Sequence, residues 1–303
     1  MPTARARACK WRYASNVTEL TRKQKFLKLL FYVMPHHAVS RVVYFITRLR
    51  GPQVKPMIAW FVKTYGVDMD EAEESEIGYY QTFNEFFIRP LKHDIRPIAP
   101  GANTLACPCD GTVSQAGSIR AGAILQAKGR GYSVLELLGG DKTMAAQFAD
   151  GRFATIYLAP HNYHRLHMPL DANMVRMIHV PGRLFSVAEW TVAEIPRLFA
   201  RNERLACYFE TGAGPMVMVL VGAINVAAIE TVWSGPVIPP RGRKISEYDY
   251  SHTRKEISKG DEMGRFNMGS TVILLTGKNV EWLPNISAGH TVKMGQPIGH
   301  FPS

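Results

Sequence analysis

Apolar and polar positions along this chain follow two periods, and the change falls near residue 95. Before it, apolar side chains recur at helical spacing. A first run, Phe26-Leu27-Lys28-Leu29-Leu30-Phe31-Tyr32-Val33-Met34, is ended by Pro35. Val39, Val42, Val43 and Ile46 then repeat on one helical face, with Arg41 and Arg48 off the stripe. After the Gly51-Pro52 break, Met57, Phe61 and Tyr65 recur every four residues, flanked by Ile58, Trp60 and Val62. The pattern predicts three short amphipathic helices. Residues 66–81 are acidic and polar (Asp68, Asp70, Glu71, Glu73, Glu74, Glu76) and read as a solvated connection. Residues 82–91 read as a capped helical turn, with Thr82 as N-cap and Glu85 completing a capping box.

Past residue 95 the period shortens. Apolar, β-branched runs at 151–158, 205–209, 216–221, 223–230 and 271–275 are separated by Gly, Pro, Asn and Asp, which predicts strands and turns. Residues 184–199 read as helix packed on them, and 289–299 as a strand–turn–strand end piece. The fold class expected is α+β: a β-rich core with packed helices, preceded by an amphipathic helical membrane-docking segment. The domain reading is 1–65 for that segment and 66–303 for the catalytic body.

Charge sharpens this picture. Residues 1–51 hold eleven Lys and Arg against the single acid Glu19, so they carry +10 of the chain's +11. A near-neutral body with a basic front end argues against a nucleic-acid surface spread over the fold and for a localised anionic partner. The first apolar run is far shorter than the ~18–20 residues of a spanning helix, and Lys28 interrupts it. No small-residue cleavage site follows it before His36-His37, so it does not read as a signal peptide. Short basic amphipathic helices describe a peripheral segment lying on an anionic phospholipid membrane. The four cysteines, Cys9, Cys107, Cys109 and Cys207, build no disulfide framework, and the Cys107/Cys109 spacing suits neither a redox pair nor zinc. A reducing, cytoplasmic setting follows.

Three segments carry candidate chemistry. In Gly264-Arg265-Phe266-Asn267-Met268-Gly269-Ser270-Thr271 a glycine precedes a serine at the mouth of a strand. Glycine allows a bent backbone and close approach to its carbonyl. The Ser270 hydroxyl can attack the Gly269 carbonyl if a base removes its proton, leaving a reactive carbonyl at position 270. Asp110-Gly111 is equally a hairpin signal. His161, His164 and His167 stand three residues apart between Pro160 and Pro169. They suit proton transfer near neutral pH. A zinc site is the rival reading, though HExxH and a nearby acidic or Cys partner are missing.

Together these segments closely resemble the bacterial, membrane-associated phosphatidylserine decarboxylases, over nearly the whole chain. The resemblance is carried by the basic helical front, Tyr65-Gly66-Val67-Asp68, residues 82–91, Asp110-Gly111-Thr112-Val113-Ser114, residues 163–169, Phe199-Ala200-Arg201-Asn202-Glu203-Arg204, Ile229-Glu230-Thr231-Val232-Trp233 and Glu262-Met263-Gly264-Arg265-Phe266. Met268 stands where the family usually has Leu, a substitution of similar volume. The resemblance implies a zymogen in which Asp110 orients His167, and His167 acts as base toward Ser270. The amide becomes an ester, and elimination and hydrolysis leave a pyruvoyl group with loss of ammonia. The products are a large chain, 1–269, and a small chain, 270–303. The pyruvoyl ketone then forms a Schiff base with the serine amine of phosphatidylserine and acts as electron sink for decarboxylation to phosphatidylethanolamine. His164 supplies the proton to the carbanion, and the role of His161 is open. The expected cofactor is thus covalent, no metal is expected, and the location implied is the cytoplasmic side of the cell (inner) membrane, peripherally. A homodimer is left open. The alternatives are a soluble pyruvoyl-dependent amino-acid decarboxylase and a lipoyl- or biotinyl-like binding module with Lys293 at a hairpin tip.

Overall fold

The computed structural model describes residues 21, 29–224, 228–238, 244–253, 255–267 and 271–302. They belong to two compact units, Met1–Met34 and Pro35–Ser303. In the first, residues 29–33 are helical, and the Met34 N–H donates to the Leu30 carbonyl at 2.9 Å. Residues 26–28 of that predicted helix lie outside the described residues, as do Cys9, Met268, Gly269 and Ser270.

The second unit opens with the other two predicted helices, His36–Ile46 and Val54–Tyr65, and they bury opposite kinds of face. Val54–Tyr65 buries Val54, Ile58 and Phe61 against Phe83, Phe86 and Phe87 of the short helix Phe83–Phe87. It stops at Gly66, whose φ of 66° is a left-handed cap that glycine adopts without strain. His36–Ile46 instead buries His36 and Ser40, while Val42, Phe45 and Ile46 are 56%, 68% and 48% exposed. Of the stripe read from the sequence, Val42 and Ile46 are exposed and Val39 and Val43 are half-buried, so much of it is turned to the surface. At the Phe83–Phe87 helix the Thr82 hydroxyl accepts from the Glu85 N–H at 3.1 Å, as expected of an N-cap. The Glu85 carboxylate reaches the Gln81 N–H at 2.9 Å, one residue earlier than a capping box requires.

The rest is β-rich, as the α+β class predicts. The main sheet has nine antiparallel strands, and its central strand is Thr271–Thr276. That strand is buried on both faces, which its unbroken run of β-branched and apolar residues permits. It pairs with Arg152–Tyr157 on one side and Gly214–Val221 on the other. Gly111–Ser118 lies beyond Arg152–Tyr157, and Arg204–Thr211 and Ala172–Val180 lie beyond Gly214–Val221. A four-stranded sheet contains Arg165–His167 and Glu262–Phe266.

Two expectations are corrected. Of the strand expected over 223–230, residues 225–227 lie outside the described residues, residues 223, 224 and 228 are not strand, and Ile229–Thr231 forms a strand of the four-stranded sheet. The chain leaves the main sheet at Gly222, whose N–H donates to the Glu203 carbonyl at 2.8 Å. The 289–299 piece is a strand–turn–strand, as expected, but its two strands do not pair with each other, so it is not the hairpin of the carrier-module reading. Thr291–Val292 pairs with Gly111–Ser118, whereas Pro297–His300 pairs with Thr104–Ala106 in a separate three-stranded sheet. Lys293, the tip residue of the carrier-module reading, ion-pairs with Glu71 at 2.9 Å. The region 184–199 forms two short helices, Glu189–Glu194 and Leu198–Arg201.

Candidate active site

Sheet register gathers the candidate segments. Thr112, Tyr157, Thr271 and Val221 form one transverse row of paired residues. The strands beginning at Gly111 and Thr271 therefore start at the same end of the sheet, where Arg152–Tyr157 runs out toward the histidine segment. Asp110 precedes the first, Ser270 the second. Close strand pairing needs Gly111, because a Cβ there would stand 2.5 Å from the Tyr157 carbonyl oxygen. Gly264 is needed likewise opposite Glu230, where the same distance would be 2.4 Å.

His167 lies on the strand Arg165–His167, and its N–H donates to the Pro108 carbonyl at 2.8 Å, two residues from Asp110. Its Nδ1 is 2.7 Å from the Gly260 carbonyl oxygen. A carbonyl only accepts, so Nδ1 carries the proton and the Nε2 lone pair accepts from the Tyr163 hydroxyl at 3.0 Å. Burial, the largest cause, lowers the His167 pKa, with the Gly260 hydrogen bond opposing it. The ring is neutral at pH 7, with its one lone pair held by the Tyr163 hydroxyl. The orienting partner is thus Gly260, where the resemblance implied Asp110. Asp110 acts on His167 through its charge, which favours the protonated ring.

The Asp110 carboxylate is otherwise engaged. Oδ1 accepts from Arg96 Nε at 3.0 Å and from the Met294 N–H at 2.8 Å, and Oδ2 accepts from Arg96 Nη2 at 2.6 Å. Arg96 also donates to Glu71, a bond that chiefly holds the Glu71 carboxyl down at about 2. Asp110 and Arg96 are both buried, and a buried pair of this kind fixes geometry more than it adds stability.

His164 is fully buried. Its Nδ1 lies 2.8 Å from the Asn162 carbonyl oxygen, so Nδ1 holds the proton here too. Its Nε2 has no hydrogen-bond partner among the described residues. The ring packs on Phe87 with centroids 4.1 Å apart. Burial pushes its pKa down to about 3, and the charges of Arg89 and His161 push the same way. His161 itself is exposed. Among the described residues no group of three or more His, Cys, Asp or Glu is arranged to hold a metal ion.

Asn267, 1% exposed, leads into the undescribed residues 268–270 and is clamped. Its N–H donates to the Ala228 carbonyl, and its Oδ1 accepts from Asn84 at 3.0 Å and from Arg48 at 3.2 Å. Sequence reasoning missed these supporting groups, Tyr163 as a partner of His167, and the arginines 89 and 96. Their one signal was that several fall inside the stretches that carry the family resemblance.

Comparison with known proteins agrees. A family model described as phosphatidylserine decarboxylase matches residues 83–300, and a second, described as PSD, matches 27–66. The chain is 48% identical over 282 residues to the phosphatidylserine decarboxylase proenzyme of Ectopseudomonas mendocina, covering 92% of this chain and 99% of that one. It is 50% identical over 278 residues to the proenzyme of the same description from Shewanella frigidimarina, covering 90% and 96%. The corresponding protein of Vibrio cholerae is 48% identical over 276 residues, covering 89% and 97%. On these matches the chain belongs to the phosphatidylserine decarboxylase family.

Proposed function

We propose that the protein converts phosphatidylserine to phosphatidylethanolamine and CO2 with a pyruvoyl group made from its own Ser270, at the cytoplasmic face of an anionic membrane. Family membership supports the reaction, and the word proenzyme in the relatives' names supports maturation by cleavage. The observation that carries the reading is the pair of neutral histidines. Each has its proton fixed on Nδ1, one Nε2 is held by a phenol, and the other is buried without a partner among the described residues.

Two described side chains, one of them next in sequence to position 270, have unused hydrogen-bonding capacity that suits such a group. Thr271 Oγ1 and His164 Nε2 are both buried without a partner among the described residues. Unpaired buried polar atoms cost about 1–3 kcal/mol each, a cost sustained where a reacting group needs them. In maturation, the Tyr163 hydroxyl releases His167 Nε2, whose freed lone pair takes the Ser270 hydroxyl proton, and the Asp110 charge favours the imidazolium that results. A pyruvoyl group at 270 supplies an electrophilic ketone that takes the substrate amine and accepts the electron pair left by CO2. His164 enters this step without an Nε2 proton, because its pKa is about 3. It must acquire one before it can donate one. The substrate amine arrives as an ammonium and must lose a proton to become a nucleophile. His164 Nε2 takes that proton and returns it to the α-carbon after CO2 leaves. Burial against Phe87 keeps water from competing for it.

The small chain stays bound after cleavage on this reading. It supplies the central strand of the main sheet, and the Met294 N–H holds Asp110. The test is the intact mass of the denatured, purified protein. Two polypeptides split after Gly269, the smaller of 34 residues (270–303) with a blocked amino terminus, are expected. A single full-length chain in active enzyme would sink the mechanism. Activity on a soluble serine phosphodiester, with none on phosphatidylserine vesicles, would favour a soluble decarboxylase.

Membrane docking is supported by the exposed face of the helix His36–Ile46. Val42, Phe45, Ile46 and Leu49 are exposed, with Arg41 and Arg50 exposed beside them. No helix among the described residues is long and apolar enough to cross a membrane. Aromatic and aliphatic side chains flanked by arginine suit the interface of an anionic bilayer. Phe45→Asp should lower the affinity for phosphatidylserine-containing vesicles about tenfold or more, since one buried Phe contributes ~1.5–3 kcal/mol. Self-cleavage should persist. Unchanged co-sedimentation with vesicles would remove this face from the docking surface.

A further inference from the structure

Arg89 is a buried cation whose donors are almost unspent. It is 3% exposed, and among the described residues no carboxylate lies within ion-pair distance of it. Among the described residues its guanidinium makes one long hydrogen bond, from Nη2 to the His161 carbonyl oxygen at 3.5 Å, and faces the Phe86 ring at 5.2 Å. Its Nε has no hydrogen-bond partner among the described residues. The other buried arginines are saturated. Arg204, 2% exposed, donates to four carbonyls, those of Leu137, Ala200, Asn202 and Glu136. Arg96 holds two carboxylates. A guanidinium withdrawn from water without such partners costs several kcal/mol, and the usual compensation is an anion.

The position of Arg89 says which site that anion would enter. It follows the Phe83–Phe87 helix, whose Phe87 ring packs on His164. The next residue back, Ile88, accepts from Arg165 Nε at 2.9 Å, and Arg89 itself binds the His161 carbonyl. Its charge reaches His164 and disfavours a proton there. Two buried groups without a partner among the described residues, Arg89 Nε and His164 Nε2, thus meet on one short segment: Arg89 bonds to it at His161 and His164 belongs to it. A donor array and a lone pair, one bonded to the 161–165 segment and the other carried on it, match a substrate with an anion at one end and an ammonium at the other.

Phosphatidylserine offers two anions, a carboxylate and a phosphodiester. A cation fixed on the carboxylate would stabilise the charge that must leave its oxygens as CO2 departs, and so would oppose the reaction. The phosphodiester keeps its charge from substrate to product. The geometry points to Arg89 as the anchor of the head-group phosphodiester, binding it through its free N–H groups beside His164. This rests on the reading of His164 as the turnover histidine. Pairing Arg89 with a phosphate also relieves its repulsion of a protonated His164, so the histidine takes up its proton with the head group in place.

The test uses full-length, self-cleaved protein carrying Arg89→Met or Arg89→Lys, with short-chain soluble lipids. Phosphatidylethanolamine, the product, keeps the phosphodiester and lacks the carboxylate, so its direct binding separates the two anions. Arg89→Met should raise the KM for phosphatidylserine and the Kd for phosphatidylethanolamine together, by about 10- to 100-fold, with kcat less affected. Arg89→Lys, which keeps the charge and loses the fork, should fall between. A raised KM with unchanged product binding would assign Arg89 to the carboxylate and overturn the proposal, as would no change in either constant. If Arg89→Met does not fold, Arg89→Lys alone decides by the same two constants. Wild-type protein that neither cleaves nor decarboxylates would instead remove the functional reading itself.

Discussion

Ser270→Ala is expected to leave one uncleaved polypeptide of 303 residues with no decarboxylase activity. The alanine has no hydroxyl to attack the Gly269 carbonyl, so no ester forms, no elimination follows and no ketone appears. The loss should be complete, because the variant lacks the electron sink altogether. It should not be a folding defect. Thr271–Thr276 is paired along its full length on both sides, and Asn267 is held by Ala228, Asn84 and Arg48. Removing one hydroxyl between these anchors should shift the Tm by no more than a few degrees, as expected for a change of ~1 kcal/mol or less in a chain of this size. Mass and thermal melting on the same sample separate the two explanations. A variant that is cleaved and active would mean that the reactive carbonyl is made elsewhere.

Local pattern made some of this architecture legible and hid the rest. The central strand announced itself through Thr271-Val272-Ile273-Leu274-Leu275, because a strand buried on both faces needs an unbroken apolar, β-rich run. The helix Val54–Tyr65 was equally plain. Periodicity found the stripe on His36–Ile46 but could not say what it faces, since a buried stripe and a membrane stripe have the same spacing. Residues 223 and 224 misled because strand propensity is contextual, and the Gly222 N–H bonds the Glu203 carbonyl where the main ladder ends.

In the site, residue types were readable and partnerships were not. His167 finds Gly260, 93 residues on, and Asp110 finds the Met294 N–H, 184 residues on. No local rule joins such positions. Arg89 had no distinguishing sequence signal of its own. Its meaning depends on the absence of nearby carboxylates among the described residues, which only the folded chain defines.

His164→Ala should separate the two histidines. The variant should cleave after Gly269 as wild type does, since His167 and its partners Gly260 and Tyr163 are untouched. Decarboxylation should fall by about 10²–10⁴-fold, the usual cost of removing a positioned proton carrier. The variant also carries a signature in stability that activity cannot mimic. The folded His164 pKa of about 3 lies below its ordinary 6.5. Above pH 6.5 the imidazole is neutral in both folded and unfolded chains and contributes no pH dependence. As pH falls below 6.5, the unfolded chain binds a proton that the folded one refuses, so wild type loses stability progressively down to about pH 3. At pH 5 that loss is roughly 2 kcal/mol, at ~1.4 kcal/mol per pH unit. The alanine variant lacks the group. It should be less stable than wild type at pH 7.5, through the packing lost against Phe87, and the gap should narrow by roughly that amount at pH 5. Urea unfolding at the two pH values measures the gap. If His164→Ala blocked cleavage, the division of labour between the histidines would be wrong. If the gap stayed constant with pH, His164 would not be the buried neutral base from which its role as proton carrier is argued.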